Sequence, residues 1–189
     1  TAPAAAGLRH VAARFQLENG GAVLYDDARR FGRIDLLDAD AWARRTAELG
    51  VEPLSDEFTA ERLFQLTRGS KTPLRSWLLD QKRIAGVGNI YANEALFRAR
   101  VRPTRRARRL TRNEAAALRK GIRDVLNDAI KARGTTFSDY RDGNGDAGAF
   151  QPRLRVYGRE GEPCRRCRTP IRRVVISNRS AFYCPRCQK

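Results

Sequence analysis

Apolar and polar residues alternate twice near the start of the chain, in HVAARFQL and AVLYDD, and the intervening ENGG supplies turn residues for a β-hairpin. RRFGRIDLL reads as a further short strand. Two or three strands do not make a stable sheet alone, so this stretch reads as part, or the edge, of a larger sheet. The period then lengthens. DADAWARRTAEL predicts a short helix, and Gly50, Pro53 and PLSDEF mark a linker. From Phe58 to Arg133 the spacing is helical. One helix opens at a Thr59 cap, and TPLRSWLLDQ predicts a second with Thr72 as the cap ahead of Pro73. Gly86 and Gly88 deny helix to KRIAGVGN. NIYANEALFRAR then predicts a helix capped by Asn89, with Ile90, Ala95 and Leu96 or Phe97 inward. The last helix opens on the capping box Thr111-x-x-Glu114 and ends at Gly134. Its Leu118, Ile122, Val125, Leu126 and Ile130 form one apolar stripe. Residues 134–150 hold four glycines without periodicity and read as a loop. IRRVVISNRSAFY predicts two short strands about a turn near Ser177-Asn178.

All four cysteines lie within the last 26 residues, and they change the picture of that segment. Cys164 and Cys167 form one C-x2-C, Cys184 and Cys187 another, with 16 residues between the pairs. Each such turn aims two sulfurs at one point, so two turns complete a tetrahedron around one zinc ion. Four cysteine ligands leave no open position for water, so this zinc is structural. A segment this short has too little apolar surface to fold alone, and the metal supplies the missing stability. The competing readings are two disulfides or four free thiols. No stretch resembles a signal peptide and no apolar run could span a membrane, and a reducing cytosol suits zinc thiolates better than disulfides.

Charge then names the kind of partner. Lys plus Arg number 38 against 21 Asp plus Glu, a net +17 with a pI near 11.0. The excess is concentrated: residues 98–133 hold 13 Lys/Arg against 3 Asp/Glu, and residues 151–189 hold 11 against 2, whereas residues 35–61 are acidic on balance. With 41% apolar residues the chain has material for real cores, so this is not a disordered basic tail. A polyanion partner follows. Nothing shows a Trp/Phe/Leu face opposite a Lys/Arg face, which favours nucleic acid over an anionic membrane. AGVGN between two helices is a candidate phosphate cradle, since glycines let backbone N–H groups approach an anion at a helix N-terminus; the competing reading is a simple turn.

LLDQKRIAGVGNIYANEALFRARVRP is similar to the helix–two-turn–helix signature of bacterial formamidopyrimidine-DNA glycosylase. VYGREGEPCRRCRTPI and SNRSAFYCPRCQK resemble its zinc finger, and YDDARRFGR resembles the loop that enters DNA beside the damaged base. The endonuclease VIII branch shares fold and finger, but RRFG is closer to the formamidopyrimidine branch. The resemblance spans residues 10–189 and implies an α+β multidomain fold. Residues 1–38 would be the last strands of an N-terminal β-sandwich, 39–56 a linker, 57–150 the helix–two-turn–helix domain and 151–189 a four-cysteine zinc ribbon. The family's N-terminal proline nucleophile, the glutamate after it and a catalytic lysine do not precede Thr1. With no Met anywhere, the chain is expected to be the C-terminal two-thirds of such an enzyme and inactive alone.

The activity implied by the resemblance is base excision: an oxidised purine such as 8-oxoguanine or a formamidopyrimidine is flipped out and released through a Schiff base, and the backbone is then cut at the abasic site. The implied partner is double-stranded DNA carrying such lesions, the cofactor one structural zinc, and the enzyme a monomer of the bacterial cytoplasm, associated with the nucleoid. Arg179, in the finger's hairpin, is implied to grip phosphates and assist the elimination step. Arg29 and Phe31 match the wedge that fills the vacated stack, against a reading of Phe31 as sheet core and Arg29 as surface. His10 aligns with a DNA contact, against a structural role. Lys71 and Arg75 flank Pro73 in a phosphate-facing stretch, and Asn89 faces the phosphate at the lesion. Three positions depart from the family pattern: Arg168 replaces glycine after the second cysteine, Ala28 replaces proline before the two arginines, and AGAF lacks an aromatic before Phe150. The rival class is a non-enzymatic module, a helix–turn–helix plus zinc ribbon that only binds DNA.

Overall fold

A computed structural model describes residues 9–28, 30–135 and 148–189, and statements of absence below refer to these residues. The chain divides into two units, Thr1–Ala43 and Arg44–Lys189. In the first, β1 (Val11–Gln16) pairs antiparallel with β2 (Ala22–Asp26) in the expected hairpin, with Gly20 at positive φ in the turn. No residue of either strand is buried. Of RRFGRIDLL, expected as a strand, the described residues 30–37 form none: no described strand pairs with them, and a segment without a ladder partner is not a strand. Helix α1 (Ala39–Ala47) follows as expected.

The second unit is built on α2 (Ala60–Thr67), α3 (Leu74–Leu78), α4 (Asn89–Arg98) and α5 (Arg112–Lys131). Thr59 caps α2, its hydroxyl accepting the Arg62 N–H at 3.0 Å, and the Thr111–Glu114 capping box opens α5. Thr72 does not cap α3. Pro73 occupies that position without a side-chain bond, because the free N–H groups of Leu74 and Arg75 already donate to the carbonyls of Arg105 and Pro103, at 2.7 and 3.2 Å. Nor is Asn89 a cap: Gly88 is, and Asn89 is the first residue of α4. One core runs through these helices, with Phe58, Leu63, Trp77, Leu96 and Leu118 fully buried and Phe150 sealing it beyond α5. Ile130 leaves the expected stripe and is 63% exposed, since the core-facing side of α5 near its end is taken by Ala129. Helices α4 and α5 pack tightly because Gly121 has no side chain; a Cβ there would stand 2.9 Å from the Ala95 carbonyl oxygen.

The C-terminal segment forms the expected hairpin, β3 (Arg172–Ile176) and β4 (Arg179–Tyr183). Its two turn residues, Ser177 and Asn178, both have positive φ, 49° and 57°, the geometry that matches a two-residue turn to strand twist. A second small core joins Val156, Cys164, Ile171 and Cys184 to Phe97 of α4. The finger is therefore seated on the helical domain by an aromatic side chain that α4 contributes. No described helix is long and apolar enough to cross a membrane.

Candidate nucleic-acid interface

Helix α4 carries both the glycine turn and the finger. Asn89, Asn93, Glu94 and Phe97 recur at helical spacing on the side that meets the C-terminal segment. Glu94 is 1% exposed, and its carboxylate accepts the backbone N–H groups of Arg155, Val156 and Tyr157 at 2.9–3.0 Å. Asn93 is fully buried; its Oδ1 accepts the Phe182 N–H at 2.7 Å, and its Nδ2 donates to the Asn89 carbonyl at 2.8 Å. These polar groups are fully hydrogen-bonded, which is the condition for burying them. Neither was identified from the sequence. The signal lay in the pair Asn93-Glu94 falling beside the apolar positions of α4.

Arg75 is the hinge pin of the arrangement. It is 1% exposed, so it does not reach DNA directly as the resemblance implied. Its Nη1 donates to the Ile176 carbonyl at 3.2 Å. Its Nη2 donates to the Ser180 carbonyl at 3.0 Å and to Asn89 Oδ1 at 2.6 Å. Ser76 and Ser177 share a hydroxyl contact at 3.1 Å beside it. One guanidinium thus ties the tip of the finger's hairpin to the first residue of α4. Burial, and then the neighbouring Arg179 charge, push the Arg75 pKa down, though a guanidinium stays protonated. With Oδ1 held by Arg75, Asn89 turns Nδ2 the other way, 3.5 Å from the Tyr157 hydroxyl, as a donor.

Arg179 opens β4 directly after the turn and is exposed. Two guanidiniums, Arg75 and Arg179, therefore repel one another at the hairpin tip, and an anion docking there relieves that repulsion. Beside Asn89 a cleft of about 210 Å³ is lined by Gly88, Ile90, Tyr91, Gly134 and Thr135. The turn before it is set by Gln81, another residue the sequence reading missed: its Oε1 accepts the Gly86 N–H at 2.8 Å and its Nε2 donates to the Val87 carbonyl at 3.1 Å. Gly86 has φ +72°, a left-handed conformation that favours glycine there.

The four thiols converge. Their Sγ atoms all lie within 4.8 Å of one another, with Cys167–Cys184 at 3.4 Å and Cys164–Cys187 at 4.0 Å. Zinc–sulfur bonds of about 2.3 Å in a tetrahedron place sulfurs about 3.8 Å apart, so this set fits one structural zinc with no open position. The N–H groups of Arg166 and Cys187 point at Cys164 and Cys184 Sγ, both at 3.4 Å. Hydrogen bonds from Thr169 pull the Cys167 thiol down to about 6, while burial pushes Cys187 up to about 12 and Cys184 upward as well. Four sulfurs this close, two of them buried, do not all ionise without a cation between them. Arg168, where the family pattern has glycine, has φ +66°, which explains that pattern: the backbone turns left-handed after the knuckle.

Three other expected residues fall among the described ones, Lys71 in the second unit and His10 and Phe31 in the first. Lys71 is exposed, and its carbonyl accepts Arg106 Nη1 at 2.6 Å. In the N-terminal unit, His10 is exposed at the start of the hairpin, and Phe31 is 82% exposed. Arg29 and most of the glycine-rich loop, residues 136–147, lie outside the described residues. The ends of that loop are joined by a Thr135–Ala149 bridge.

Residues 49–141 match the formamidopyrimidine-DNA glycosylase H2TH domain, and residues 161–189 match the zinc finger found in FPG and IleRS. The formamidopyrimidine-DNA glycosylase of Chloroflexus aggregans is 46% identical over 98% of this chain and 68% of its own length; that of Pelotomaculum thermopropionicum is 49% identical over 96% and 66%. The crystal structure of the MutM (FPG) protein from Thermus thermophilus superposes with a TM-score of 0.88 at 44% identity, over 95% of this chain and 68% of that one. Lactococcus lactis Fpg in complex with DNA containing an abasic site superposes with a TM-score of 0.83 at 32% identity, over 90% and 63%. The chain spans about two thirds of the length of these relatives. Both matched segments, the four-cysteine site and identities near one half across nearly all of its residues place the chain in the formamidopyrimidine-DNA glycosylase family.

Proposed function

We propose that these 189 residues form the DNA-gripping part of a bifunctional DNA glycosylase and AP lyase that removes oxidised purines, 8-oxoguanine or formamidopyrimidines, from double-stranded DNA. The observation that carries this reading is the union of Asn89 and Arg179 through the buried Arg75. An amide donor at a helix N-terminus and an exposed guanidinium on a metal-braced hairpin become one rigid anion-facing surface. Complexes of relatives with DNA containing an abasic site and with Fapy-dG DNA support the choice of anion.

On this reading Asn89 Nδ2 and Arg179 hold phosphates on either side of the damaged nucleotide and stabilise a bent backbone. Extruding the base costs a few kcal/mol of unstacking, which the phosphate grip and the wedge, Phe31 with Arg29, offset. Arg179 then stabilises the phosphate that leaves when the strand is cut. The amine that attacks the sugar is assigned by the family resemblance to residues other than these 189, which bind but do not cleave. Zinc, when bound, holds the hairpin and takes no part in the chemistry. The enzyme works as a monomer in the bacterial cytoplasm, at the nucleoid.

The test is binding of an 8-oxoguanine duplex by the wild type, Asn89→Ala, Arg179→Ala and Arg165→Ala at matched salt. Losing a charge-assisted contact of about 1.5–3 kcal/mol weakens binding by about tenfold or more for the first two variants. Arg179→Ala also flattens the salt dependence by about 0.9 in log–log slope for its lost phosphate contact, whereas Asn89, being uncharged, leaves the slope as it is. Equal small effects from Arg179→Ala and Arg165→Ala sink the assignment, and a borohydride-trapped adduct with the chain overturns its lack of cleavage.

A further inference from the structure

We propose that the arginine-lined cleft between α2, the Ala107–Arg109 turn and the start of α5 is a second phosphate site, holding the backbone of duplex DNA away from the lesion; this rests on the reading that the chain binds DNA. The cleft has a volume of about 710 Å³ and is walled by Arg68, Arg105, Arg108, Arg109 and Arg112 around Phe64. No carboxylate lines it.

The five guanidiniums are not equivalent. Arg105 pairs with Glu114 and Arg112 with Glu61, both from outside the lining. Arg68 and Arg112 stand over the Phe64 ring, at 5.0 and 4.5 Å from its centroid, and Arg68 Nη1 donates to the Arg108 carbonyl at 3.0 Å. Those three are held by protein groups. Arg108 and Arg109 are exposed and make no ion pair or side-chain hydrogen bond among the described residues. Glu61 and Glu114 neutralise two of the five guanidiniums, and an anion docking in the cleft relieves the repulsion among Arg68, Arg108 and Arg109. The 20-residue helix α5 begins in the same wall, at Thr111 to Asn113, so the positive end of its dipole adds to the field. Guanidinium forks match phosphate oxygens in geometry as well as in charge.

Continuity with the first site selects a DNA backbone over a free phosphate. Arg108 and Ala107 donate their backbone N–H groups to the carbonyls of Ser70 and Thr72, at 3.0 and 2.9 Å. Leu74 donates to the Arg105 carbonyl, and the next residue, Arg75, holds the finger hairpin. The segment from Ser70 to Arg75, with exposed Lys71 in it, thus connects the cleft rigidly to Asn89 and Arg179. One polyanion can run along both.

The experiment measures affinity and salt slope of the whole chain for lesion duplexes of about 10 and about 30 base pairs. It compares the wild type, the double variant R108A/R109A and Arg179→Ala, with an inorganic pyrophosphate titration alongside. The double variant is expected to bind the long duplex at least about tenfold more weakly, with a slope reduced by about 1.8 for two lost contacts, and to match the wild type on the short duplex. Arg179→Ala weakens both. If the double variant matches the wild type on the long duplex while Arg179→Ala does not, the second site is overturned and the first stands. If the double variant loses pyrophosphate binding yet keeps the long-duplex slope, the cleft takes free phosphates and the proposal fails. If the wild type binds neither duplex, the DNA reading falls and this proposal with it. Both arginines are exposed, so an unchanged melting temperature verifies that the double variant is folded.

Discussion

The molecule contains two antiparallel hairpins, and they differ in what holds them. The hairpin β1–β2 buries no residue and carries its turn on Gly20. The hairpin β3–β4 is no longer, yet it buries Ile176 and Ala181 and is fastened at several points. Arg75 takes the carbonyls of Ile176 and Ser180, Asn93 takes the N–H of Phe182, and the cysteine site anchors the strand ends. A two-stranded ribbon is marginal alone, so its rigidity is lent by its neighbours. That is why Arg179 can be assigned a fixed place relative to Asn89, whereas Phe31, 82% exposed beyond β2, has a role that rests on resemblance.

Removing the metal is the strongest way to break this contrast. Cys184→Ser or chelation is expected to unfold β3–β4, because structural zinc contributes on the order of 10 kcal/mol to small fingers. The helical core and β1–β2 should persist, and amide NMR spectra would separate the three. Chelation at pH 7 should also take up about four protons per zinc, since metal binding requires deprotonated thiols and the four released cysteines have ordinary pKa values of about 8.5. Zinc is therefore lost more readily as pH falls, and a pH-independent zinc affinity would contradict the thiolate site.

The next largest effect belongs to Arg75. Replacement by Ala leaves the Ile176 and Ser180 carbonyls without the guanidinium, while Asn89 Oδ1 keeps Asn93 Nδ2 at 3.2 Å, at a cost of about 2–6 kcal/mol given about 1–3 kcal/mol per unsatisfied buried group. Lysine keeps the charge but not the fork, so Arg75→Lys should recover part of the stability and less of the lesion affinity. Chemical denaturation read beside duplex binding checks both. If Arg75→Ala melts like the wild type, the hairpin is held by zinc alone.

Smaller effects sharpen the comparison. Arg168→Gly should stabilise the finger by about 1 kcal/mol, because its φ of +66° costs an L-residue strain that glycine does not feel. Phe31→Ala should change stability by no more than about 0.5 kcal/mol, as expected for an exposed side chain, and should lower lesion affinity if the ring is a wedge. A large loss of stability would return Phe31 to a core.

Where local chemistry determines structure, the sequence was enough. The C-x2-C spacing dictated where four sulfurs meet, the Thr111–Glu114 box where α5 begins, and Ser177-Asn178 where the last hairpin turns, because each depends on a few neighbouring residues and a short-range preference. The basic excess likewise pointed to a polyanion partner before any fold was known. What depends on segments far apart in the chain was decided only by the tertiary structure. Arg75 read as one more surface cation, but packing α3 against the finger brought carbonyls from residues 101 and 105 positions away onto its guanidinium. Thr72 lost its role as a cap for the same reason, since the 103–105 segment reached the N–H groups first. Glu94 became a clamp only when the chain near Arg155 returned to α4. A buried polar group takes whichever partner the fold brings to it, and that partner is not written beside it in the sequence.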